Sequence, residues 1–502
     1  MSFKKYITYS CLIVVSILLT NKNSFAQHST ASTAYYISTG GNDNDRGTQA
    51  APFKTVEKVN NLHLKPGDKV YFKAGETFNG TLKIDSGENG NKLQPITISS
   101  YGKGKADIDA GNLSALDLYK TKYINISKLH LIGAGRKDGN TKSGLNILNS
   151  TNINISNVEI NGFQKSGVLV YVSSQVTIRS VYAHENGYAG ISLSGSYGKR
   201  DCTDIKVYDS QARNNPGDPT ELSNHSGNGI IAGNCKDVLI DHCTANNNGW
   251  EMPRVGNGPV GIWAYETDHI VIQYCLAYEN KTSRGGDDGG GFDFDGGVTN
   301  SIVQYCVAYG NQGSGYCLFQ YAGASPWYHN IMRYNVGEND GTVSPSKAGI
   351  YVWNSSQDAS QFYDCEFYSN IIYDDKAAAL SFSEPNHNKG FHYYNNIFIG
   401  KDEIIIGKDK LNLSEYSGND WWSLKSGFNV AGIKQLKAWA ESSGKEMNDG
   451  KLTGLNILPP FKDPGHTSIT SASQISTYSN YLLPKNSKLK SQLKLLQLNT
   501  TK

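Results

Sequence analysis

Four aspartates fall within nine residues of the segment 285–297: Asp287, Asp288, Asp293 and Asp295. Asp293 and Asp295 alternate with Phe292 and Phe294. On a strand, successive side chains take opposite faces, so the two rings share one face and the two acids the other. Their Cα atoms then lie about 6.5–7 Å apart. That spacing puts the carboxyls in the roughly 5–9.5 Å range over which paired acids cleave glycosidic bonds. Like charges so close push one pKa up, leaving one acid protonated while the other acts as base or nucleophile. The seven glycines around them let backbone approach a ligand closely. Four acids in so short a segment are also an oxygen-rich cluster suited to a hard cation, so Ca2+ is the competing use.

The acids belong to a repeated unit. From about residue 115 to 400 the chain returns to a glycine followed by an alternating stretch, at Gly144, Gly167, Gly190, Gly229, Gly261, Gly291, Gly315 and Gly349, with Ala379 in the same role. The spacing from Gly144 to Gly167 is 23 residues, and longer intervals mark inserted loops. A second β-rich stretch follows in each unit, as at Ile153, Val176, Val238 and Ile270, and an Asn-rich turn after it. One such turn cannot bury its own apolar face, but stacked turns can, each strand pairing in parallel with its equivalents. The signatures of leucine-rich repeats and propellers are missing. The expected fold is all-β: a right-handed parallel β-helix with short helical caps.

Aligning the units on the glycine sets the phase. Leu145/Ile147, Val168/Val170, Phe292/Phe294 and Ile350/Val352 face inward. The outward column then carries Trp263/Tyr265, Asp293/Asp295, Cys317/Phe319 and Tyr351/Trp353. With rungs about 4.8 Å apart, this is a groove floor with aromatic rings on both sides of an acidic centre. Flat rings stack on pyranose faces, so a polysaccharide along the solenoid axis is the expected partner. Trp263, Tyr265, Phe319, Tyr351 and Trp353 would build subsites. Glu266, next after Tyr265, is expected beside Asp295 as a third catalytic carboxylate. His225, in the long insertion before Gly229, is expected to reach over the groove as an acid or a sugar ligand. His329 is a weaker candidate of the same kind.

Residues 1–26 read as a secretory signal peptide, with Lys4 and Lys5, an apolar run from Cys11 to Leu19, and a small-residue cleavage site at Ser24-Phe25-Ala26. That run is too short to span a bilayer. A secreted or periplasmic chain without a membrane span is expected, and a monomer. Residues 27–110 form the N-terminal cap and first coils, 111–400 the β-helix with inserted loops, and 401–502 a C-terminal capping region. A cap helix is expected from Pro52 to Leu62, and a second from Ile433 to Ser443. The remaining seven cysteines are odd in number and thinly spread, with no CxxC pair, which fits neither a disulfide scaffold nor a structural zinc site. The formal net charge of +2 offers no basic surface for nucleic acid.

Over about residues 35–490 the chain resembles the secreted β-helical carbohydrate-active enzymes. Asp287-Asp288-Gly289, Gly291-Phe292, the run from Tyr305 to Asn311, and Gly315-Tyr316-Cys317-Leu318 resemble the core of the pectate lyases of polysaccharide lyase family nine. The resemblance implies Ca2+ ligands at Asp287 and Asp288. It also implies a base lysine after the Gly-Phe strand start, where this chain has Asp295. The expected activity is therefore a glycoside hydrolase acting through Asp293 and Asp295, with Glu266 or Asp288 assisting. The alternatives are a Ca2+-dependent lyase of a uronate polymer, with Lys347, Arg284 or Arg254 as base, and a non-catalytic glycan-binding solenoid.

Overall fold

The computed structural model describes residues 32–356, 358–383, 387–407, 413–487 and 489. The signal-peptide segment, 1–26, lies outside the described residues. Parallel pairing of successive units builds three long sheets, of 14, 12 and 13 strands among the described residues. They wrap one lumen as a right-handed parallel β-helix. The 12-stranded sheet contains the glycine-led strands, and its register follows the repeat: Leu145 pairs with Val168, Val168 with Ile191, Ile262 with Phe292, and Phe292 with Tyr316. All six of these side chains are buried in the lumen.

The Asn-rich turns stack into a hydrogen-bonded ladder. Asn186 bonds Asn215, Asn215 bonds Asn248, Asn248 bonds Asn280, and Asn280 bonds Asn311. Each of Asn215, Asn248, Asn280 and Asn311 also donates to a backbone carbonyl of the coil before it. Buried turn backbone must find partners, and the ladder supplies them at the corner just before the glycine-led strands begin. It therefore fixes where each loop rises over the 12-stranded sheet.

Both caps are shorter than the sequence suggests. The first helix spans Val56–Asn60, with Thr55 as N-cap accepting from the Lys58 N–H. Phe53 is instead extended and bridged to Ile37, which holds the preceding residues out of the helix. The second spans Leu436–Ser443 and stops at Gly444, which is left-handed at φ 70°. Its Trp439 closes the lumen against Trp421 and Tyr416. The coils continue past residue 400 through Ile405–Ile406, Ser414–Ser417 and Asp420–Ser423, into the segment expected as cap. Beyond them the chain doubles back over the 13-stranded sheet. There Glu338 accepts the Thr467 N–H at 2.8 Å, and the Ala472 N–H reaches Thr244.

The seven described cysteines are free and buried. Cys243 and Cys275 stack as repeated core positions, the Cys243 N–H lying 3.4 Å from the Cys275 sulfur. No described helix is long and apolar enough to cross a membrane.

Candidate functional site

The Gly290–Phe294 strand buries Phe292 and Phe294 in the lumen, which turns Asp293 and Asp295 outward as the alternation requires. Neighbouring strands bring Trp263, Asp293, Cys317 and Tyr351 into one cross-strand row. Phe319 pairs with Trp353, and Tyr265 with Gly233. Gly233 is required there, because a Cβ would collide with the Tyr265 ring. The Asp295 N–H donates to the Ala264 carbonyl, which sets Asp295 beside Tyr265.

Above this face lies a cavity of about 780 Å³. Asp287, Asp288, Asp293, Asp295, Trp263, Tyr265, Phe319, Tyr351, Trp353 and His225 all line it. The assigned phase thus brings together the acids and the rings. The open groove is corrected, however. Asp293 is 2% exposed and Trp263 3%, because inserted loops close over the sheet. Trp263 is a fixed wall, its Nε1–H bonded to Asn228. Phe319 lies edge-on to Tyr351 and to Trp353.

Burial governs the acids. Asp293 is pushed well above the usual carboxylate range by desolvation, with Asp295 and Asp288 adding repulsion. Its Oδ1 has no hydrogen-bond partner among the described residues. Asp295, partly exposed, accepts the Gly296 N–H at 2.7 Å and is raised to about 7, mainly by desolvation. Asp288 sits in a left-handed turn at φ 62°. One of its oxygens accepts the Gly258 N–H at 2.8 Å, and the other lies 3.6 Å from the Lys347 ammonium. Desolvation raises this group too, with Lys347 opposing. Lys347 itself lies over the Tyr351 ring at 4.2 Å.

Calcium takes six to eight oxygens, several from carboxylates. Asp287 is exposed at the rim, while Asp288 is turned to Gly258 and to a lysine that already supplies positive charge. Among the described residues no three His, Cys, Asp or Glu side chains converge as metal ligands. The donor set does not fit a calcium cage.

Glu266 lies near enough to Asp295 to raise its carboxyl through space, as its expected place beside Asp295 requires. Its carboxylate, however, accepts the Ser325 N–H at 2.8 Å and fills the space beside Gly297, so it anchors a loop and does not line the cavity. His329 pairs with Asp364 at 2.9 Å and is also outside the lining. Of the three bases considered for a lyase, only Lys347 lines the cavity. Tyr197, Asn224, Asn234, Asn257 and Tyr321 were not anticipated. They sit in the loops between repeat strands, and position in those loops is the one signal the sequence offered.

The family model of the Pel9A-like right-handed β-helix region matches residues 35–372. Among solved structures, the chain is similar to the GH136 lacto-N-biosidase from Eubacterium ramulus at 17% identity and TM-score 0.51, covering 76% of this chain and 68% of that one. It is similar to the A-module of the mannuronan C-5 epimerase AlgE4 from Azotobacter vinelandii at 15% identity and TM-score 0.52, covering 70% and 91%. Pectate lyase Pel9A is 16% identical at TM-score 0.42, covering 91% of each chain. No curated protein matches.

Proposed function

Because the chain belongs to the family of Pel9A-like right-handed β-helix regions, we propose that it is a carbohydrate-active enzyme that hydrolyses glycosidic bonds in this cavity. The observation that carries the reading is the pair of outward acids on one strand, both raised by burial and walled by Trp263, Tyr265 and Tyr351. Asp293, which keeps its proton, is the general acid for the leaving oxygen. Asp295, which titrates near neutrality, is the base or nucleophile. The glycosidic C–O bond breaks, the leaving oxygen takes the Asp293 proton, and water supplies the new oxygen at the anomeric carbon. Water's second proton restores the acid pair.

The cavity also bears on how a chain is attacked. The row is buried on either side of Asp293, at Ile231 and Trp263 below and at Cys317 above. A pocket of this form suits a chain end or a short oligosaccharide.

A panel of polysaccharides and oligosaccharides, read by new reducing ends, tests the proposal. Asp293→Asn and Asp295→Asn are each expected to lower the rate by about 10²–10⁴-fold. Full activity in both variants would refute it. Lys347 favours a second reading, a lyase in which its amine removes the C5 proton of a uronate. Unsaturated, ultraviolet-absorbing products that disappear in Lys347→Met would establish that reading instead.

A further inference from the structure

Asn228, fully buried at the start of the strand Asn228–Gly233, has its amide orientation fixed by its neighbours. Its oxygen accepts the Trp263 Nε1–H at 3.1 Å, and an indole N–H can only donate. Its NH2 group therefore faces the other way, donating to the Tyr188 carbonyl at 3.1 Å and to His225 Nδ1 at 3.1 Å. A ring nitrogen that accepts a hydrogen bond carries no proton. Neutral His225 must then hold its proton on Nε2. Among the described residues Asn228 is the ring's hydrogen-bond partner, at Nδ1, which leaves Nε2 for the cavity that His225 lines.

The surroundings keep the imidazole neutral. Its pKa is lowered to about 4, chiefly by burial and also by Arg254, with Glu221 opposing. The ring stands edge-on to Trp263 at 4.7 Å and tilted against Tyr188 at 5.7 Å, so its position is as fixed as its tautomer. Asp287, Asp288 and Asp295 line the same cavity against one lysine, while Asp293 holds its proton. A sugar carrying its own carboxylate would meet that excess of acids.

We infer that His225 is a specificity-determining donor whose Nε2–H reads an acceptor oxygen, a hydroxyl or amide carbonyl, of an uncharged sugar held beside Trp263. This rests on the glycan-cleaving reading of the cavity and names the chemistry of its substrate. Asn228 is the positioning residue, since it reaches the sugar only through His225 and Trp263.

The test is nitrogen NMR on the full mature chain with 15N-labelled histidine, the His225 signals being assigned by their loss in His225→Gln. The expected result at neutral pH is a neutral ring protonated on Nε2. Its Nε2 signal should shift on addition of galactose or N-acetylglucosamine and stay unmoved by galacturonate. Asn228→Asp, which offers an acceptor to Nδ1, should move the proton to Nδ1 and abolish the sugar response while circular dichroism is unchanged. A wild-type ring that is charged, or protonated on Nδ1, would overturn the inference, as would a stronger response to galacturonate. If none of the three sugars moves His225 while Asp295→Asn abolishes cleavage, the inference fails and the catalytic reading stands. If the neutral sugars move His225 but neither aspartate variant loses activity, the catalytic reading fails and the subsite stands.

Discussion

Asp295 is the residue whose charge changes where a neutral-pH enzyme would work. With its carboxyl raised to about 7, the hydrolytic rate should climb with pH through that value, as the base becomes ionised. It should fall again at higher pH, as Asp293 gives up the proton that the leaving oxygen needs. A pH–rate profile checks both limbs. Lys347 lowers the Asp293 carboxyl through space. Lys347→Met should therefore move the alkaline limb to higher pH and leave the acidic limb in place. Chelation is expected to leave the rate unchanged, because Asp288 faces a lysine. A rate restored only by added Ca2+ would contradict this. At this scale the alternation Phe-Asp-Phe-Asp was enough to find the acid pair. It did not show that Glu266, expected as a third catalytic carboxylate, has a left-handed backbone at φ 47° that carries its carboxylate to Ser325.

Among the elements, the asparagine ladder holds the loops that build the cavity, and its top rung is irregular. Where an asparagine would continue the stack, Asp340 accepts from Asn311 through one oxygen, and its other oxygen is buried without a partner among the described residues. An asparagine amide there would donate, as Asn311 does to the Ala277 carbonyl. Burial accordingly drives the Asp340 pKa well up, the protonated acid being the nearest substitute for an amide. Asp340→Asn is expected to stabilise the fold by about 1–3 kcal/mol at alkaline pH, and by little at acidic pH. Denaturant melts at the two pH values check it. Trp439→Ala should open the C-terminal end of the lumen at a cost of about 3–5 kcal/mol, read in the same melts. The recurrence of Asn-rich turns announced the ladder from sequence. The aspartate's place in it emerged only when the coil lengths were resolved in space. The cap helices illustrate the same limit, for Pro52–Thr55 has a helix-starting pattern, yet Phe53 gains more by pairing with Ile37.

For the whole molecule, buried acids set how stability depends on pH. Asp295, Asp374 and Asp420 are each raised to about 7 in the folded chain, and desolvation is the largest cause in each. Between the ordinary carboxylate pKa and that value, the folded state binds more protons than the unfolded one. Stability therefore falls as pH rises through this window. The thermal midpoint should be higher at pH 5 than at pH 8, and Asp295→Asn should narrow the difference while destroying activity. Equal midpoints would show that these groups are ionised in the fold. The sequence alone determined the solenoid, its phase and the face that carries the acids. Those follow from a two-residue alternation within a repeat, which is local information renewed in every coil. Whether that face is an open groove or a pocket, and that Lys347 lines it while Arg254 and Arg284 do not, were decided by the tertiary structure. Loops of unequal length have no repeat to constrain them, and where they close depends on contacts between coils far apart in the chain.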